Sequence, residues 1–111
     1  MHRISVAAGD VLYRKGDTAE YAYLLLSGNI AMEREGTALA AEVGTVIGLS
    51  ALLQLPYGAT ARASDPVDVL AFTRRELRGL IRSDPDRALK IIDGMINLIV
   101  KINRLEGNTG D

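Results

Sequence analysis

The side chains able to do chemistry in this sequence are carboxylates, arginines and tyrosines. Cysteine is absent and histidine occurs once, as His2. This removes thiolate nucleophiles, disulfides, cysteine-ligated zinc and iron–sulfur clusters, and with them His-based triads and multi-histidine metal sites. The acids Asp10, Asp17, Glu20, Glu33, Glu35 and Glu42 mostly stand beside glycines, where they serve turn chemistry. No pair of them has a distinctive acid–base context. Gly44-Thr45-Val46-Ile47-Gly48 carries two glycines but no following Lys-Ser/Thr, so it is not a triphosphate-cradling loop. These residues predict a protein that is not an enzyme and needs no metal or cofactor.

Arg74, Arg78 and Arg82 recur every fourth residue, with Arg75 and Arg87 close by. Such a row is either an anion, membrane or nucleic-acid patch or a solvated helix face. Aromatic residues are not interleaved and the net charge is −1, so the sequence favours the solvated face, ion-paired with Glu76, Asp84 and Asp86. Neither nucleic acid nor a membrane is an expected partner.

The elements that position these residues fall into two regimes. With 111 residues, 48% hydrophobic and 24% charged, the chain has the profile of a single globular domain. No apolar run approaches the roughly 20 residues of a membrane span, and residues 1–5 carry no signal-peptide core, so the expected location is cytoplasmic. Over residues 3–72, short apolar runs alternate with glycines about 8–12 residues apart, which predicts antiparallel strands in a sandwich or barrel. Tyr21 to Leu26, Ser27-Gly28-Asn29 and Ile30 to Met32 read as strand, turn, strand, and Val67, Val69 and Ala71 mark another strand. Residues 73–106 turn helical. Thr73 with Glu76 is a capping-box signature, Leu77, Leu80 and Ile81 form an apolar stripe, and Asp84-Pro85 opens a second helix. Residues 107–111 form a polar tail.

On a helical wheel of residues 88–105, Lys90, Asp93, Gly94, Asn97, Lys101 and Arg104 fall within one arc of about 100°. All other positions except Asn103 are apolar, roughly twice the stripe a surface helix needs to cover its own core. The surplus predicts a homodimer or a docked protein partner. Ala88, Ile92, Met95, Ile99 and Ile102 follow the 4-3-4-3 spacing of a paired-helix seam and are the expected interface.

Taken in order, these pieces resemble the cyclic-nucleotide-binding domain of catabolite-activator-like proteins. The resemblance rests on Gly9-Asp10-Val11-Leu12-Tyr13-Arg14-Lys15-Gly16-Asp17, on Tyr23-Leu24-Leu25-Leu26-Ser27-Gly28 and on Gly44-Thr45-Val46-Ile47-Gly48. It continues through Ala51-Leu52-Leu53, Pro56, Ala59-Thr60 and Ala63 to a strand ending at Phe72. It implies a mainly β fold: a β-roll, or jelly-roll, followed by two α-helices of which the last is the dimer helix. It also implies a ligand-binding cassette at residues 48–60, comprising Gly48, Leu49, Ser50, Ala51, Tyr57, Gly58, Ala59 and Thr60. In that family a short helix turns its amides to the cyclic phosphate, an Arg pairs with the phosphate, and a Glu after the first Gly holds the ribose.

Here the Glu position is Leu49, the Arg position is Tyr57, and the small hydroxyl residue after it is Gly58. Leu49 and Tyr57 are expected to fill the emptied cleft as core, and cAMP or cGMP binding is expected to be lost. The alternative is a genuine small-ligand sensor, in which backbone amides of the cassette still hold a cyclic nucleotide or another small molecule; an apolar or aromatic ligand would have Tyr57 stacking and Ser50 or Thr60 supplying a hydroxyl. Arg62 lies an odd number of residues beyond Tyr57, which puts it on the opposite face of a regular strand. Only eight residues precede Gly9 and a polar tail follows the last helix, so neither leading helices nor an output domain are expected; output would then be contact with another chain.

Overall fold

The computed structural model describes residues 1–105. Its strands are β1 (His2–Val6), β2 (Val11–Tyr13), β3 (Ala22–Ser27), β4 (Ile30–Arg34), β5 (Thr37–Ala41), β6 (Val46–Ile47), β7 (Thr60–Ala63) and β8 (Val67–Phe72). A 3-10 helix, Leu49–Leu53, joins β6 to β7, and the helices α1 (Arg74–Ser83) and α2 (Pro85–Leu105) follow. The polar tail at 107–111 and the helix end at 106 lie outside the described residues. Among the described residues no helix is long and apolar enough to cross a membrane.

Period-two alternation decides which way each strand faces. Val67, Val69 and Ala71 of β8 point inward, as do Ala61 and Ala63 of β7, while Thr60 and Arg62 point outward. Two antiparallel four-stranded sheets result, ordered β1-β8-β3-β6 and β2-β7-β4-β5. Their inner faces meet in a core that includes Leu25, Ile30, Ile47, Ala61, Val69 and the tyrosines Tyr13, Tyr23 and Tyr57. This is the β-roll with two C-terminal helices that the residue pattern implies. The other face of β3 contributes Ala22 to a second cluster, where Val46 and Phe72 receive Leu77 of α1 and Ile91 of α2.

The helix starts follow the local chemistry. Thr73 Oγ1 accepts from the Glu76 amide at 3.1 Å, and the Glu76 carboxylate accepts from the Thr73 amide at 2.9 Å. Glu76 also pairs with the chain's amino terminus, and that ammonium with the capping bonds holds its carboxyl below the usual range. Of the expected α1 stripe, Leu77 is buried and Leu80 half-buried, whereas Ile81 is exposed. Pro85 opens α2, and Asp84 caps the step by accepting from the Ala88 amide at 3.0 Å.

The orientation of α2 departs from the wheel. Gly94 and Lys101, placed in the polar arc by the sequence, turn toward the roll. Gly94 is buried because the helix passes so close to the β5–β6 turn that a Cβ there would lie 2.6 Å from the Gly44 carbonyl oxygen and 2.8 Å from Val46 Cγ2. Lys101 is half-buried and its Nζ pairs with Glu42 Oε1 at 2.6 Å. The inward face is therefore Ala88, Ile91, Gly94 and Leu98.

This rotation corrects the expected seam. Ala88 is 2% exposed and lies within the protomer, and Met95 is half-buried against the second cluster. Neither belongs to the outer surface. Ile92 is half-buried, while Ile99 and Ile102 remain exposed beside Leu89, Ile96 and Val100. The outward series is Leu89, Ile92, Ile96, Ile99 and Asn103, again at 3-4-3-4 spacing.

Candidate functional site

A cleft of about 670 Å³ opens between the second sheet, the 3-10 helix and α2. Its formation begins at Gly48, which adopts the left-handed conformation (φ 76°) and turns the chain from β6 into Leu49–Leu53. A Cβ at Gly48 would meet the Tyr57 ring at 3.2 Å and the Tyr21 carbonyl at 3.3 Å, so a larger residue would be both strained and crowded. The chain then returns through Tyr57, whose amide donates to the Asp17 carbonyl at 3.0 Å, while its own carbonyl accepts from the Gly16 amide at 2.8 Å.

Tyr57 is 6% exposed. Its ring stacks on Tyr13 with centroids 3.9 Å apart and planes 15° from parallel, and its hydroxyl donates to the Tyr21 carbonyl at 2.6 Å. Tyr13 stacks in turn on Tyr23 at 5.9 Å, and the Tyr23 hydroxyl bonds to that of Tyr57. Burial pushes the phenols of Tyr13, Tyr23 and Tyr57 above the ordinary tyrosine range of about 10. The folded state therefore holds protons that the unfolded state releases first, and stability is lost as pH climbs through about 10 toward the folded values. Alkaline titration followed at 295 nm is expected to show these phenols ionising together with unfolding; ionisation with the fold intact would contradict the stack.

Gly48, Leu49, Ser50, Tyr57, Gly58 and Ala59 line the cleft. Ala51 and Thr60 do not. Ala51 is the buried residue of the 3-10 helix, and Thr60 Oγ1 is engaged from outside by the Lys15 amide at 3.0 Å. Arg62 faces away from the cleft, with Glu33 at 3.5 Å and the Gly9 carbonyl at 3.1 Å. The expectation that Leu49 and Tyr57 close the site is met only in part. Tyr57 has become core, yet space remains beside it.

Sequence reasoning missed the other walls. Tyr13, Met32 and Leu39 come from β2, β4 and β5, and Leu98 and Ile102 come down from α2. Arg34, Glu35 and Thr37 stand at one side, and among the described lining residues Arg34 is the cation and Glu35 the carboxylate. Glu35 is paired with Lys15 at 3.2 Å. A signal for Arg34 was present: alternation along β4 gives it the same face as the buried Ile30 and Met32. The cleft combines an aromatic wall and aliphatic walls with a small polar margin, a lining suited to a small ligand.

Comparison with known proteins bears on this geometry. No curated protein matches the sequence. A cyclic nucleotide-binding domain from Methylobacillus flagellatus superposes with a TM-score of 0.72 at 21% identity, over 98% of this chain and 68% of that one. A cyclic nucleotide-binding-like protein from Brucella abortus gives 0.63 at 26% identity, over 73% and 75%. The regulatory subunit of a cAMP-independent protein kinase A from Trypanosoma brucei gives 0.62 at 20% identity, over 67% of this chain but 28% of that one. The family model for the cyclic nucleotide-binding domain matches residues 3–84, from β1 through the cassette and α1, so the chain belongs to the cyclic nucleotide-binding domain family.

Proposed function

We propose that this chain is a cytoplasmic, non-enzymatic regulatory module that acts through contacts with other chains and has lost ordinary cAMP and cGMP binding. Position 57 carries the reading. Where the family resemblance implies an Arg against the phosphate, Tyr57 is locked between Tyr13 and the Tyr21 carbonyl. Leu49 stands where a Glu would hold the ribose. Charge-assisted hydrogen bonds contribute about 1.5–3 kcal/mol each, so losing both contacts removes roughly 3–6 kcal/mol, about 10²–10⁴ in Kd. The Trypanosoma protein, the regulatory subunit of a cAMP-independent protein kinase A, has the same fold, so the fold by itself does not entail a cAMP response.

Thermal unfolding with millimolar cAMP or cGMP tests it. The expected result is an unchanged Tm. A ligand at a hundredfold excess over its Kd adds about 2.7 kcal/mol, so an upward shift of several degrees would reject the proposal.

The outer face of α2 supplies the contact surface. Leu89, Ile96, Ile99 and Val100 expose 40–57% of their area on one side of the helix. Their spacing, with Asn103 as the next position of the series, suits a second copy of the same helix, since a polar residue at one seam position fixes register.

The open cleft supports a second reading, a sensor for a small ligand that is not a cyclic nucleotide. Tyr13, Tyr57, Leu98 and Ile102 would hold an aromatic or aliphatic body, with Ser50 and Thr37 at its polar end. A Tm rise with such compounds, lost in Leu98→Glu, would favour this reading.

A further inference from the structure

Among the described residues the arginine face of α1 does not form the ion pairs its sequence suggests. Glu76 is occupied by Thr73 and the amino terminus, and the Asp84 carboxylate takes the Arg87 amide. Arg74, Arg75, Arg78 and Arg82 have no carboxylate or other hydrogen-bond partner among the described residues. They surround a second cleft, of about 580 Å³, completed by Gln54 and Gly79. Among the described residues no acidic or apolar side chain lines it.

Three features of this arrangement are unfavourable for the protein alone. Arg74 and Arg75 occupy the first turn of α1, where the helix dipole repels cations. Arg74, Arg78 and Arg82 place like charges four residues apart, which destabilises a helix. Gly79 sits in the helix interior, where glycine is a poor helix former, yet a Cβ there would meet nothing within 4 Å. No packing demand explains that glycine. It leaves the helix backbone bare on the cleft floor, beside the arginine row. A bound polyanion would reverse both electrostatic penalties and use the bare floor.

We infer that this α1 cleft binds a ligand carrying clustered phosphates. Guanidinium forks match phosphate oxygens two at a time. The row from Arg74 to Arg82 spans about 12 Å, enough for several phosphates held close together. An acidic protein segment is the competing occupant. It is less suited, because protein interfaces draw their affinity from buried apolar or aromatic anchors and this lining offers none. The site is separate from the tyrosine-walled cleft, and its success or failure leaves the reading of that cleft untouched.

Calorimetric titration and thermal unfolding with sodium tripolyphosphate test the inference, against citrate and polyglutamate at equal ionic strength. Tripolyphosphate is expected to bind with salt-sensitive affinity, raise Tm and outcompete both controls. Arg78→Gln/Arg82→Gln is expected to weaken binding about 100-fold, roughly tenfold for each arginine. The ligand-free Tm of that variant should hold or rise, because repulsion is relieved. Gly79→Leu fills open space and should fold normally while blocking the floor and weakening binding. No binding, full affinity in the double-arginine variant, or tighter binding of polyglutamate overturns the inference. Vesicles containing phosphatidylinositol 4,5-bisphosphate distinguish the source: co-sedimentation, lost in the double-arginine variant, assigns a lipid headgroup, and tripolyphosphate binding without co-sedimentation assigns a soluble ligand.

Discussion

Gly94→Leu is expected to unseat α2 and remove about 3–5 kcal/mol of stability. Leucine is among the better helix formers, so the substitution strengthens the helix in isolation and the whole loss must come from packing. A Cβ at this position already lies 2.6 Å from a backbone oxygen of the β5–β6 turn, and three further carbons have no room beyond it. The helix must lift. Lifting exposes Ile91 and Leu98, which are 1% and 4% accessible, and burial of such side chains stabilises by about 1.5–3 kcal/mol each. The cleft beneath α2 would lose its Leu98 and Ile102 wall in the same movement. Chemical denaturation gives the measurement. The matching control is Gly79→Ala on α1, where open space leaves only the helix-propensity gain of about 1 kcal/mol. Equal behaviour of the two variants would show that α2 does not depend on its close approach at Gly94.

Ile99→Asp is expected to turn a dimer into a monomer without harming the fold. Within the protomer Ile99 is 57% exposed, so the change should shift folding stability by no more than about 0.5 kcal/mol. Across a two-fold seam each substitution acts twice. Two buried isoleucines are lost, about 1.5–3 kcal/mol apiece, and two carboxylates must be desolvated near one another. The combined penalty exceeds about 4 kcal/mol, roughly 10³-fold in dissociation constant. Sedimentation equilibrium resolves the outcome. A wild-type chain that stays monomeric at high concentration removes the self-association proposal, and a dimer that survives the substitution moves the interface elsewhere.

The parts of the fold that local chemistry controls were readable from the residues. Turn glycines and alternating apolar positions marked β3, β4 and β8, and the Thr73–Glu76 pair marked the start of α1 because a capping box is a contact within four residues. What remained hidden depends on contacts distant in sequence. The wheel of α2 could not show that Gly94 and Lys101 face inward, since that follows from the fit against Gly44, Val46 and Glu42. The α1 arginines are solvated as expected, but among the described residues they lack the expected ion pairs: Glu76 is held by Thr73 and by the sequence-distant amino terminus, and the Asp84 carboxylate by the Arg87 amide. Leu49 and Tyr57 could be placed at the cleft from the sequence, but the space beside Tyr57 is bounded also by residues from four other elements.

The tyrosine stack has a practical consequence. The chain contains four tyrosines and no tryptophan, and ring contacts join Tyr13, Tyr21, Tyr23 and Tyr57 into one group. Its near-ultraviolet emission and circular dichroism therefore originate almost entirely in one ring cluster, two of whose members, Tyr13 and Tyr57, wall the cleft. Any guest entering there would be reported by the native chromophores, with no dye attached and no residue replaced.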